Sequence, residues 1–256
     1  MNPGNIIETV RLLTRIMARP KNIGWCPVCS SRTLFIEFED WLRDYYQCIR
    51  CCSIPRNRAL IQVLTTHFPE YRSYTIHESS PAGPASEKIA RDCSGYVPTQ
   101  FFADTPYGAF KNGVRCENLE CMTFPDNSFD LVITQDVFEH VMHPDRAFAE
   151  IARTLKPGGA HLFTVPLVNK YSPSKQRAGI INGEVNFFEP EIYHGNPVGD
   201  GKSLVTVDWG FDICRYIFDA SGLFTQLIYI DDISKGIRAE YIEVLITYKP
   251  NVRGSD

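Results

Sequence analysis

From Ser73 to Val168, short apolar runs alternate with amphipathic stretches, and this alternation narrows the fold more than any other feature of the chain. "SYTIHE" reads as a strand, "PASEKIARDC" as a helix, "GYVPTQFF" as a strand, "GVRCE" as a short strand and "FDLVITQDV" as a long buried one. "HPDRAFAEIARTLK" keeps Ala147, Phe148, Ile151 and Leu155 at helical spacing, and "PGG" ends it because Pro157 cannot continue a helix while Gly158 and Gly159 turn freely. "AHLFTVPLV" is the next strand. "DICRYIFDASG" then reads as a helix that buries Ile213, Ile217 and Phe218 and stops at Gly222, and "LFTQLIYI" and "AEYIEVLITYK" are two closing strands. Strands and helices in this order predict an α/β fold, doubly wound around a mostly parallel seven-stranded sheet, with ligands at the carboxyl ends of the strands.

A chain of 256 residues, 44% hydrophobic and 22% charged, buries one full-sized core and a small appendage. No stretch approaches the roughly 18 consecutive apolar residues of a membrane span, and the N-terminus lacks a signal-peptide pattern, so a cytoplasmic protein without a membrane span is expected. Residues 5 to 19 place Ile6, Val10, Leu13 and Ile16 at helical spacing, which predicts an amphipathic helix over residues 1–20, packed on the main domain.

Five of the nine cysteines crowd into residues 26 to 52. "CPVC" supplies Cys26 and Cys29, and "CIRCC" supplies Cys48, Cys51 and Cys52. Two cysteines separated by two residues lie on one tight turn with both sulfurs facing a common point, and two such turns close a tetrahedral cage around zinc. The spacer "SSRTLFIEFEDWLRDYYQ" is rich in aromatic and β-favouring residues, as the strands of a zinc ribbon are. Residues 21–54 are therefore expected to form a small zinc ribbon with a structural Zn2+ on Cys26, Cys29, Cys48 and Cys51, Cys52 being the competitor for the last place. A fully ligated ion has no open position for a substrate. "IPRNRAL" follows as the start of a helix, with Pro55 in its first turn and Leu60, Ile61 and Leu64 on its buried side.

Charge bears on whether the ribbon serves nucleic acid. Residues 1–60 carry nine Lys or Arg against five Asp or Glu, while the rest of the chain carries −8. Four thiolates on one divalent ion add about −2, halving the local excess, so nucleic acid is disfavoured as a partner.

The run "MTFPDNSFDLVITQDVFEHV", followed by "FAEIARTLKPGGAHLFTVP", closely resembles class I methyltransferases that use S-adenosylmethionine, and most of all their type 11 group. Several members of that group also carry an N-terminal CxxC pair and a "PRxRAL"-like helix. The resemblance implies a Rossmann-like methyltransferase domain over residues 55–249, closed by an antiparallel strand pair, with S-adenosyl-L-methionine as cofactor and no requirement for a catalytic metal. The last residues, 250–256, are expected to be disordered.

In such enzymes the first strand ends in an acid and a glycine-rich loop, which lets backbone N–H groups approach the cofactor. Here the segment is "HESSPAGPAS": the acid is Glu78, Ser79 and Ser80 offer hydroxyls to the cofactor carboxylate, and Gly83 alone remains of the glycines. At the second strand's end, where an acid normally holds the ribose hydroxyls, stands Gln100 with Phe101 beside it. Asn118, followed by Leu119, takes the place that meets the adenine amino group. Gln135 and Asp136 emerge from the fourth strand at the crevice, with Glu139 and His140 after them.

Residues 167–207 are too long and too rich in Gly, Pro and aromatics for a plain connector, which predicts a substrate-facing insertion. It carries "YHGNP". A hydroxyl acceptor must lose a proton as its oxygen attacks the sulfonium methyl, and histidine is best tuned to take it near neutral pH. His194 is the first candidate base and His140 the second, with Asp136 a third catalytic candidate at the crevice. The resemblance suggests a sugar or glycan-biosynthesis intermediate as acceptor, a small aromatic metabolite as the alternative, and a non-catalytic cofactor-binding or scaffold protein as the competing class.

Overall fold

The computed structural model describes Arg19, residues 21–195 and residues 201–251. The amphipathic helix expected over residues 1–20 lies almost wholly outside the described residues, as do residues 252–256 of the expected tail. The described chain opens with strands β1 (Lys21–Cys26), β2 (Ser31–Glu37) and β3 (Tyr46–Cys48), which form a three-stranded antiparallel sheet, with a one-turn helix α1 (Leu42–Tyr45) between the last two. Helix α2 (Pro55–His67) starts with Pro55 in its first turn and buries Leu60, Ile61 and Leu64, as their spacing predicts.

The central sheet is built from β4 (Thr75–Ser79), β5 (Gly95–Gln100), β6 (Phe110–Lys111), β7 (Val114–Cys116), β8 (Phe129–Gln135), β9 (Leu155–Thr164), β16 (Phe224–Ile228) and β17 (Val244–Tyr248). Their order is β16-β17-β9-β8-β4-β5-β7-β6. β4, β5, β7, β8 and β9 run parallel, while β17 is antiparallel to both β9 and β16, giving the expected closing pair. Helices α3 (Gly83–Asp92), α4 (Pro144–Thr154) and α5 (Ile213–Ser221) lie between strands. The chain leaves β4 toward β5 and β7 on one side and returns through β8 and β9 on the other, so the order reverses beside β4. That switch point leaves a crevice at the strands' carboxyl ends.

Three expectations need correction. The sheet has eight strands, not seven, because Phe110–Lys111 folds back on Val114–Cys116 through Asn112 and Gly113, both at positive φ, the turn that an Asn-Gly pair favours. Leu155 belongs to β9, not to the preceding helix: it pairs with Phe129 of β8, and Gly159 packs so closely on Asp130 that an added Cβ would sit 2.9 Å from that carbonyl oxygen. Phe218 is exposed and rests against Phe224 with ring centres 4.9 Å apart, because α5 turns only Ile213 and Ile217 into the core.

β8 is buried on both faces, and its side chains alternate between two apolar clusters. Leu131 and Ile133 join α2, α3 and the small sheet on one side, while Val132 joins α4, α5 and Trp209 on the other. The small sheet thus shares the main core. Arg58 of α2 seals the junction: fully buried, it donates to the carbonyls of Tyr46, Ser53 and Gly236 and lies over the rings of Phe35 and Tyr46. Between β9 and α5, the described residues of the 167–207 segment form short strands, β10 (Lys175–Gln176), β11 (Ala178–Ile181), β12 (Glu184–Phe187), β13 (Tyr193–Gly195), β14 (Lys202–Leu204) and the start of β15 (Val207–Asp208). β11 pairs with β12 and β13 with β14.

Candidate functional site

A cleft of about 510 Å³ opens at the carboxyl ends of β4, β5, β7 and β8, within the roughly 300–1,000 Å³ of small-molecule sites. Ser79, Ser80, Gln100, Phe101, Asn118, Leu119, Gln135, Asp136 and His140 all line it. These nine expected residues come from four separate strand ends. Ser80 sits at φ 55°, and its N–H donates to the Thr99 carbonyl, so the short Ser-Ser-Pro turn makes its bend without glycine. Ile180, Gly195 and Ser203 of the 167–207 segment also line the cleft.

Glu78, Gly83 and His194 are not brought to the cleft wall, although Gly195, next to His194, is. Glu78 lies beneath the floor, fully buried, with one oxygen accepting from Ser86 Oγ and Gln135 Nε2, both at 2.7 Å, and the other from Tyr96 OH at 2.7 Å. Burial raises its pKa and these three donors oppose the rise. Gln135 in turn accepts from Asn57 Nδ2 at 3.3 Å, so the acid orients a cleft residue instead of facing a ligand. Gly83 opens α3 at φ 74° with empty space around its missing Cβ. Sequence reasoning missed Glu117, which is buried beside Asn118, lines the cleft and accepts from Arg115, Thr123 N–H and Thr123 Oγ1. Its signal was its place directly after β7, where an acid at a parallel strand's end meets the crevice. Arg56 was also missed, having been read only as part of a helix start.

Asp136 sits in the left-handed region at φ 52°. Its carboxylate accepts from Thr164 Oγ1 at 2.9 Å, Arg43 Nη2 at 2.7 Å and Arg56 Nε at 2.9 Å. Burial works against the charge, but the two guanidiniums win and hold its pKa down to about 2. Such contacts suit a fixed anion more than a proton acceptor.

One turn further, Glu139, His140 and His194 converge. Glu139 is buried, with Oε1 3.8 Å from His140 Nε2 and 3.9 Å from His194 Nδ1, while its Oε2 has no hydrogen-bond partner. Burial, and then the nearby Asp136 charge, push its pKa up to about 8. Desolvation lowers both histidines. The Glu139 carbonyl accepts from Thr206 N–H at 2.7 Å, and His140 Nδ1 lies 2.8 Å from the Leu204 carbonyl, so the insertion's return strand fixes this corner.

In the small sheet, Cys26 and Cys51 sulfurs lie 3.7 Å apart and those of Cys29 and Cys48 3.9 Å apart, with all four within 4.8 Å of one another. A tetrahedron with bonds of about 2.3 Å places its sulfurs about 3.8 Å apart, so the four thiols fit a zinc ion. Cys52 is exposed at φ 56° and stands outside the group.

Residues 99–163 match the type 11 methyltransferase family, described as a methyltransferase domain. Among curated proteins, the chain is 50% identical over 120 residues to the ubiquinone/menaquinone biosynthesis C-methyltransferase UbiE of Hydrogenovibrio crunogenus, a match covering 41% of this chain and 47% of that one. It is 30% identical over 82 residues to the glycine/sarcosine/dimethylglycine N-methyltransferase of Actinopolyspora halophila, covering 29% and 14%. The chain thus spans about half the length of the first of these relatives. A solved S-adenosylmethionine-dependent methyltransferase from Mesorhizobium loti overlaps 75% of this chain and 97% of its own at 15% identity and a TM-score of 0.48. Residues 99–163, the segment that matches the methyltransferase domain, run from the end of β5 into β9 and carry most of the cleft wall.

Proposed function

We propose that the protein is an S-adenosylmethionine-dependent methyltransferase that methylates a hydroxyl of a saccharide or similarly oxygen-rich small molecule. The observation that carries the methyl-transfer reading is the convergence of Ser79, Ser80, Gln100, Asn118 and Gln135 from separate strand ends on one cleft, inside or beside the segment that matches a methyltransferase domain; the oxygen-rich acceptor is what the sequence resemblance suggests. Ser79 and Ser80 offer hydroxyls to the methionine carboxylate, Gln100 accepts from the ribose, and Asn118 both accepts from and donates to adenine. S-adenosylmethionine supplies an activated methyl on its sulfonium. The chain's own residues position the acceptor for in-line attack.

Glu139, His140 and His194 stand at the acceptor end and ease loss of the hydroxyl proton as the oxygen attacks. The four thiols of Cys26, Cys29, Cys48 and Cys51 hold a structural zinc, supported by their tetrahedral spacing. A carbon acceptor on an apolar ring is the second reading. It is favoured by the exposed Ile180, Ile181, Val185 and Phe187 of the β11–β12 arm, and by the C-methyltransferase relatives.

Isothermal titration of the zinc-loaded protein with S-adenosylmethionine and with S-adenosylhomocysteine tests the proposal. Binding of both is expected, and heat from neither sinks it. His194→Ala is expected to lower turnover at least about tenfold while leaving cofactor affinity nearly intact. Turnover equal to the parent's would make His194 a structural residue only.

A further inference from the structure

We propose that Glu139, His140 and His194 form a divalent-cation site at the acceptor end of the cleft, and that the acceptor reaches the ion through two neighbouring oxygens. The inference deepens the proposed methyl transfer and rests on it for the acceptor, though not for the ion. It goes beyond the family resemblance, which implies no requirement for a catalytic metal.

The donor atoms of the three side chains all lie within 4.8 Å of one another. Ligands at about 2.1 Å from an ion stand about 3.0 Å apart when adjacent in an octahedron and about 3.4 Å apart in a tetrahedron. The observed 3.8 and 3.9 Å therefore need a contraction of less than about 1 Å. His194, on the exposed strand β13, has the freedom to supply it.

Two further observations point to an ion. Glu139 is 2% exposed, yet its Oε2 has no hydrogen-bond partner, and leaving a buried carboxylate oxygen unpaired is costly. His140 directs Nδ1 to the Leu204 carbonyl at 2.8 Å and leaves Nε2 toward Glu139, the outer bond by which proteins set a metal-binding imidazole. The rings of His140 and His194 are perpendicular, with centres 5.1 Å apart, so both nitrogens reach the carboxylate without stacking.

Two imidazoles and one carboxylate suit a first-row divalent ion better than calcium or magnesium, and three protein ligands leave positions open toward the cleft that His140 lines. A vicinal diol or a hydroxy-carbonyl group fills two such positions at once. An oxygen held on a divalent ion would be a stronger acid, so its proton would pass to solvent more readily as the new C–O bond forms and the sulfonium S–C bond breaks, with S-adenosylhomocysteine leaving.

The test titrates the full-length protein, carrying one zinc per chain and no excess zinc, with Mn2+ and follows free Mn2+ by electron paramagnetic resonance. The wild type is expected to bind one Mn2+ per chain, with binding weakened at least about tenfold in both Glu139→Gln and His194→Ala while zinc content is unchanged. No Mn2+ bound by the wild type, or equal binding by both variants, overturns the site and marks any uptake as adventitious. If Glu139→Gln fails to fold, His194→Ala, altered on an exposed strand, decides alone. S-adenosylmethionine titrated in parallel separates the two proposals: cofactor binding without Mn2+ rejects only the cation, and Mn2+ binding without cofactor rejects only the methyltransferase.

Discussion

Glu78 shows how one residue's role depends on what the fold places around it. An acid at the end of the first parallel strand reads as a cofactor ligand, but Ser86, Tyr96 and Gln135 close over it and make it the support for the cleft floor. Tyr96→Phe strips one oxygen of its donor without changing shape, and the buried carboxyl then pays a desolvation cost of about 1–3 kcal/mol. Urea unfolding at neutral pH should show that loss, and an unchanged midpoint would mean that water reaches Glu78. His77 and His161 make a second prediction at this scale. Burial first, then Arg115 for His77 and His77 for His161, holds each pKa down to about 3. The unfolded chain, at the ordinary value near 6.5, binds protons that the native state refuses between pH 6.5 and 3. Stability contributed by each neutral ring is therefore complete above that window and falls with acid by about 1.4 kcal/mol per pH unit. His161→Gln should reduce the measured slope between pH 6 and 4 by about one proton, and an unaltered slope would show that the ring is not held neutral.

At the scale of elements, the small N-terminal sheet reaches into the site. Arg43 of α1 donates to Asp136 at 2.7 Å and to the Tyr241 carbonyl at 2.9 Å, so a one-turn helix inside the cysteine-rich segment braces the end of β8. Cys51→Ser is expected to drop bound zinc below about half an equivalent, whereas Cys52→Ser should leave the content unchanged, because only Cys51 points its sulfur into the group. Metal analysis of the purified variants checks both. The insertion behaves similarly. Thr206 and Leu204 bind the backbone and ring of the Glu139–His140 corner, so the return strand, not the loop's length, sets this corner of the cleft.

Over the whole molecule, the small sheet and the α/β sheet share one apolar cluster, joined by Phe35, Tyr46 and the buried Arg58. Two units that bury each other's surface unfold together. Calorimetry of the zinc-loaded protein should show a single transition, and chelation should lower its midpoint as a unit; an early separate transition for the small sheet would contradict the shared core. Among the described residues, no helix is long and apolar enough to cross a membrane.

The parallel strands, the helices, the closing antiparallel pair and the grouping of four cysteines were legible in the chain, because apolar period, turn residues and ligand spacing are local properties that the tertiary structure left in force there. The same locality explains the errors: Leu155 has helical spacing but is claimed by its pairing with Phe129, and Phe218 keeps the period but finds no partner inside. Which acids face a ligand was decided only in three dimensions. Glu78 and Glu117 both follow buried strand positions, yet one lies under the floor and the other on the wall, since burial and hydrogen-bond partners come from elements far apart in sequence. The meeting of Glu139 with His194 has the same origin, for they stand 55 positions apart in the chain and the β13–β14 pair brings their side chains together.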